Sequence, residues 1–251
     1  MLAFNNDKVL KDNLIKEIKW HRELDMIIAG RYGSFSDASF KGCAVGCSLH
    51  SYGLLKGIKL DTSNHKAYEL FGIPKLLARL EDGIFEGLPS KEQQLWPEQF
   101  MEAINVGADL STVWPQFAIW LLVDKKYGAI QYAKTDNQRL AIQQVADLYK
   151  TGGTKKQFKE AGYFASSAAA ATDAAYADYA ARVAAATNAT AATNATAAAA
   201  YAAAAAATDA AYAAHAAAAY AAHAYAAAPD RKKYRIAQSK KLISLLKACK
   251  S

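Results

Sequence analysis

From Ala165 to Ala228 roughly two-thirds of the positions are alanine, and the tract contains no Gly, no Pro and no Lys. Alanine has the best intrinsic helix propensity and no rotamer entropy to lose. Such a tract is committed to helix. It also lets helix axes approach more closely than the usual ~8–10 Å. Each alanine helix buries little apolar area, so its stabilisation accrues slowly at about 0.8 kcal/mol per CH₂. The spaced Tyr176, Tyr179, Tyr201, Tyr212, Tyr220 and Tyr225 supply the larger contacts.

Thr, Asn and Asp punctuate the tract. Thr172-Asp173 recurs as Thr208-Asp209, and Thr187-Asn188 recurs as Thr193-Asn194. These residues are poor inside helices and good at N-caps, where their side chains accept from free backbone N–H groups. Successive helices near 173–187, 194–207 and 209–228 are therefore expected rather than one rod. Pro229 stops the last of them. Arg231–Lys250 then reads as a terminal helix whose apolar face holds Ile236, Leu242, Ile243, Leu246 and Cys249.

The first 150 residues are built from different material. Asn5-Asn6-Asp7 caps a helix in which Val9, Leu10, Leu14, Ile18, Trp20, Leu24, Ile27 and Ile28 recur at helical spacing, with Gly30 and Gly33 ending it. Arg31 to Phe40 reads as loop, and Ser39 or Lys41 opens a short helix through CAVGCSLHSY. Asn64 caps HKAYELF, with Gly72 closing it, and Pro74 suits the first turn of KLLARLEDGIFEGL. Ser90 and Pro97 start another helix, Ser111 caps TVWPQFAIWLLV, and Thr135-Asp136 caps NQRLAIQQVADLYK. Gly128–Ala133 is the one alternating stretch, so at most one short β segment is expected near 129–133. Trp96-Pro97 and Trp114-Pro115 each place an aromatic at a helix start, as a core wedge or staple.

The fold class implied is all-α. We expect a multi-helix bundle with short N-terminal helices and tightly packed Ala-rich C-terminal helices. Residues 1–150 form a helical domain with a conventional core. Residues 151–251 form an Ala-rich region with a basic terminal helix, packed on the first as one unit.

The formal net charge is +7. Between Asp230 and Ser251 eight basic residues face Asp230 alone, so this tail equals the charge of the whole chain. A body near neutrality with one basic helix is not the footprint of a dedicated DNA-binding domain. Local contact with phosphates, anionic lipid or an acidic partner stays open. Mean hydropathy is −0.09, and no run of about 18 strongly apolar residues exists, so no membrane span is expected. The start MLAFNNDKVLKDN lacks a signal-peptide core. The three cysteines, Cys43, Cys47 and Cys249, then fit reduced thiols in a cytoplasm. Composition excludes a collagen, a disulfide-rich secreted scaffold and a transporter.

Three segments carry a likeness: KGCAVGCSLHS from Lys41 to Ser51, GIPKLLARLEDGIFEGLP from Gly72 to Pro89, and WPEQFMEAINVGADLSTVWPQFAIWLLVD from Trp96 to Asp124. With the Ala/Tyr-rich C-terminal half, they resemble an uncharacterised family of bacterial and phage hypothetical proteins. More loosely, the chain resembles all-helical toxin-immunity proteins. The resemblance implies a conflict setting in which small helical proteins work by binding, and it brings no stated activity.

Cys43, Cys47 and His50 fall at i, i+4 and i+7, on one face of a helix. Thiolates and imidazoles are ligands that zinc prefers, and His65 or His21 can supply a fourth. The candidate metal set is Cys43, Cys47, His50 and His65, with zinc as the candidate ion. The spacing is not a standard zinc motif, and tight packing of this helix through small Cys residues is the favoured reading. Cys43 near a helix N-terminus also raises the alternative of a thiol lowered by the dipole and assisted by His50. His65, Glu69, Glu81, Asp82 and Glu86 form an acidic–histidine group, which Lys75 and Arg79 can neutralise from one turn away. Lys150-Thr-Gly-Gly-Thr-Lys155-Lys156 lacks P-loop spacing.

His215 and His223 lie two turns apart among Tyr212 and Tyr220. This stripe and the basic cluster Arg231, Lys232, Lys233 and Arg235 are the candidate partner-binding residues. The leading expectation is a non-catalytic binding protein of the immunity or anti-defence type, contacting a protein partner or a small nucleotide. The alternatives are a Cys/His metalloprotein or thiol enzyme, and a nucleotide or nucleic-acid binder using the basic helix. Oligomeric state is not legible.

Overall fold

A computed structural model describes residues 1–24, 26–36, 39–177, 196, 199, 200, 202, 203 and 231–251. The expected helices within 178–228 lie almost wholly outside these residues. So do Tyr212, His215, Tyr220 and His223.

Helices dominate the described chain: α1 Lys8–Glu23, α2 Ala44–Lys56, α3 Lys75–Gly87, α4 Ser90–Ala103, α5 Val113–Val123, α6 Asp136–Thr151, α7 Lys155–Ala177 and α8 Arg231–Ala248. The all-α class holds. The local signals behave as their chemistry dictates. Asp7 caps α1 by accepting from the Leu10 N–H at 3.0 Å, and Thr135 forms a full capping box with Gln138 at the start of α6. Asn64 accepts from the Lys66 N–H, and Gly72 takes φ +74° at the C-terminus of the 3₁₀ helix His65–Phe71.

Two expectations are corrected. Gly128–Ala133 is not a strand: Ala129–Tyr132 is a 3₁₀ turn. The β structure sits instead at 34–41, where a loop to Phe40 and a helix opening at Ser39 or Lys41 are expected above. There β1 Ser34–Ser36 pairs antiparallel with β2 Ser39–Lys41, in the register Phe35 opposite Phe40. Strands of three residues are too short to show a convincing alternation. Likewise α1 ends at Glu23, well short of Gly30. Ile27 forms a bridge to Gly42, and the Met26 carbonyl accepts from the Gly42 N–H at 3.0 Å. Pairing with a distant segment overrides the helical periodicity.

The described chain falls into two compact units, which do not divide at residue 150. One comprises Met1–Val113 with Gln238–Ser251, the other Trp114–Ala237. In the first, α1 packs on α2 and α4, and α3 packs on both as well. Its core includes the fully buried Phe4, Leu14, Ile18, Phe71, Phe85 and Phe100. The N-terminal turn is fixed by main-chain bonds from Ala3 to Ala108 (3.1 Å) and from Gly107 to Ala3 (2.9 Å). The end of α8 contributes Leu242 and Leu246, and Asn105 Nδ2 donates to the Cys249 carbonyl at 2.7 Å.

In the second unit α6 and α7 pack as a helical hairpin across Gly152-Gly153. Trp114 Nε1 donates to the Tyr149 hydroxyl (2.9 Å), which donates to the Ala202 carbonyl (2.6 Å). Trp120 stacks beside Phe117 and Tyr234. On α8, Tyr234 is buried, Arg235 and Ile236 are half-buried, and Lys232 and Lys233 are exposed. Ile243 is also only half-buried, and Leu245 is buried in its stead.

Candidate functional site

The first unit concentrates its buried polar chemistry where α2 meets α3. Cys43 is the N-cap residue of α2, and its N–H donates to the Arg31 carbonyl at 2.6 Å. The loop before β1 lies across the start of this helix. A Cβ on Gly46 would stand 1.7 Å from the Tyr32 carbonyl oxygen, so that position tolerates only glycine. Asp82 and Glu86, at i and i+4, share one face of α3. The Cys43 sulfur and one oxygen from each of Asp82 and Glu86 lie within 4.8 Å of one another. Cys43 and Asp82 are buried, and Glu86 is exposed.

Each of these groups is held from outside the trio. Glu86 accepts from the Gly30 N–H with both oxygens, each at 3.0 Å. His65 is buried, with Nε2 2.9 Å from Asp82 Oδ2 and Nδ1 3.1 Å from the Ser63 carbonyl. Because a carbonyl only accepts, Nδ1 carries a hydrogen. The Tyr32 ring meets His65 edge-on at 5.4 Å between centroids.

Glu81 is the neighbour of Asp82 and is fully buried, yet neither of its carboxylate oxygens has a hydrogen-bond partner. Burial pushes its carboxyl well above the usual range, and the charge of Asp82 adds to this. The Tyr68 hydroxyl beside it opposes part of this rise. Contrary to the ion-pair expectation, among the described residues no salt bridge joins Lys75 or Arg79 to Glu81, Asp82 or Glu86. Arg79 Nε is buried without a partner.

The proposed metal set divides. Cys43 and His65 are brought together through Asp82. Cys47 is turned away: its thiol donates to the Gly42 carbonyl at 3.3 Å, with the Met26 carbonyl at 3.8 Å. His50 stacks on Phe40, ring centroids 4.0 Å apart and planes 5° from parallel, and its Nδ1 lies 3.4 Å from His21 Nε2. Asp82 and Glu86 were seen in the sequence as acidic residues but not as partners of Cys43. Their i, i+4 spacing was the available signal; the pairing with α2 was not.

The thiol-enzyme alternative also meets its physics here. Cys43 does sit at a helix N-terminus, where the dipole favours thiolate. Burial outweighs it, and the neighbouring Asp82 adds to the rise, so the thiol is pushed well up. Burial pushes Cys47 up to about 12. Burial lowers His50, and it lowers His21 to about 4, with the charge of His50 acting in the same direction.

A second feature opens beside the β1–β2 strand pair. A cleft of about 720 Å³ is walled by Phe40, Leu49, Leu54 and Ile58, with His50 and Asp61 among its polar groups. Leu54 and Ile58 are 56% and 47% exposed, so its mouth is apolar. No family model matches this chain, and no match is found among curated proteins or solved structures. Fold and site together define a class, an all-α protein of two helical units with a buried polar cluster. Among the described residues no helix is long and apolar enough to cross a membrane.

Proposed function

We propose that this protein is a non-catalytic α-helical binding protein acting in the bacterial cytoplasm, as an immunity or anti-defence factor in bacterial or phage conflict. The observation that carries the binding reading is the cleft of about 720 Å³ between the β1–β2 strand pair and the C-terminal half of α2. Its apolar walls with a few polar groups have the make-up of a ligand pocket. The stacked Phe40–His50 pair gives it a flat, rigid side. The thiols favour a binding role over a catalytic one, because both Cys43 and Cys47 hold their protons at neutral pH. The conflict setting rests on the likeness of the Lys41–Ser51, Gly72–Pro89 and Trp96–Asp124 segments to bacterial and phage proteins.

Native mass spectrometry on protein purified from a bacterial host at physiological salt tests this reading. A stoichiometric bound mass is expected, and Leu54→Asp with Ile58→Asp removes it while the helical circular dichroism persists. A wild-type protein with no bound mass, or a cleft variant that keeps it, overturns the proposal.

A further inference from the structure

We propose that Cys43, Asp82 and Glu86 form a binding site for a divalent transition metal ion, with zinc as the class of ion their donors select. This site is separate from the cleft and does not depend on it.

The first argument is geometric. The three donor atoms converge to within 4.8 Å of one another although they come from two elements distant in sequence. Zinc binds sulfur at about 2.3 Å and carboxylate oxygen at about 2.0–2.2 Å, so donors on one ion stand roughly 3–4 Å apart. Small side-chain adjustments close the remaining gap. A thiolate with two carboxylates suits a borderline-soft ion; magnesium and calcium favour all-oxygen sets.

The second argument is preorganisation. Metal sites are oriented by the hydrogen bonds their ligands make outward. Here both carboxylates are tied, Asp82 by His65 and Glu86 by the Gly30 N–H, while the main-chain bond from Cys43 to the Arg31 carbonyl fixes the backbone that carries the thiol. Exposure is graded as well. Cys43 is 1% and Asp82 7% exposed, and Glu86 faces solvent, which gives an ion a route inward.

The third argument is electrostatic. Asp82 is buried in the trio, and Glu81, fully buried on the adjoining position of α3 beside Tyr68, adds a second acid to this part of the core. Lys75 and Arg79 lie on the same helix yet bridge none of these acids. Among the described residues no lysine or arginine bridges the carboxylates of the trio, so a bound metal would supply positive charge directly at their oxygens. On binding, the Cys43 thiol yields its proton to solvent and the sulfur coordinates as thiolate.

Cobalt(II) titration of the full chain after chelator treatment tests the proposal. One equivalent is expected to bind and produce a thiolate-to-cobalt charge-transfer band, which zinc(II) then displaces. Cys43→Ser abolishes the band. Cys47→Ser, whose sulfur faces backbone carbonyls, retains it. Glu86→Gln keeps an oxygen acceptor for Gly30, preserves the fold and weakens cobalt binding at least tenfold. A wild-type chain without the band overturns the proposal. So does a band that survives Cys43→Ser or is lost in Cys47→Ser, or an affinity unchanged by Glu86→Gln.

Discussion

His65 Nε2 stands 2.9 Å from Asp82 Oδ2, and the opposite ring nitrogen is committed to the Ser63 carbonyl. One proton must lie in the His65–Asp82 bond, whichever of the two partners it rests on. The pair ties the 3₁₀ segment after α2 to the middle of α3. Replacing His65 by Ala leaves a buried carboxylate alone, which costs about 3 kcal/mol or more when one partner of a buried pair is removed. Urea denaturation followed by circular dichroism measures it; a loss below about 1 kcal/mol contradicts the assignment.

Gly46 sits inside α2, where alanine ordinarily stabilises a helix by about 1 kcal/mol over glycine. At this position the added Cβ would meet the Tyr32 carbonyl oxygen at 1.7 Å. Backbone must shift to accommodate it, so Gly46→Ala is expected to destabilise by about 1–3 kcal/mol. The sign of the change in melting temperature decides between propensity and close approach.

His21 gives the protein a sensitivity to acid. Its folded pKa is lowered to about 4 from 6.5, chiefly by burial. Between those values the unfolded chain binds the proton and the folded one does not, so stability falls as pH drops from about 6.5 towards 4. The loss is on the order of 3 kcal/mol. His50, which faces His21 and is also lowered by burial, acts in the same direction. Unfolding free energies from pH 7 to pH 4 should decline less steeply for His21→Phe than for the wild type. Parallel curves would remove His21 from the account.

Glu81 works in the opposite sense. Its carboxyl is raised well above 4.5, so the folded state holds a proton that the unfolded chain releases, and stability is lost as pH rises. Exchanging an unpaired buried acid for an apolar side chain of similar size is expected to stabilise by about 1–4 kcal/mol. Glu81→Met should therefore be more stable than the wild type in metal-free buffer, with a gain that grows above pH 4.5. A destabilised variant at neutral pH would show that the carboxyl has a partner.

Much of the helical framework was written locally. Asp7, Asn64 and Thr135 cap the elements they were expected to cap, because a cap needs only a side-chain oxygen and the N–H groups two or three residues on. Gly72 and Gly152 end theirs by adopting positive φ. The hairpin at 34–41 and the early end of α1 were not legible. Both depend on main-chain bonds between segments that carry no shared local signal: Ile28 to Gly42, Gly42 to Met26 and Cys43 to Arg31.

The candidate site divides along the same line. By itself the sequence determined that the chain is helical, that Cys43 lies near a helix N-terminus and that Asp82 and Glu86 stand one turn apart on another helix, since these follow from propensity and the 3.6-residue period. Only the tertiary structure decided the partners. Packing α2 against α3 set Cys43 beside Asp82 and Glu86. It also turned Cys47 to backbone carbonyls and laid His50 on Phe40. A helical period places side chains on a face; which face it meets is settled by close packing across the core, where burial and neighbouring charge then set the chemistry of each group.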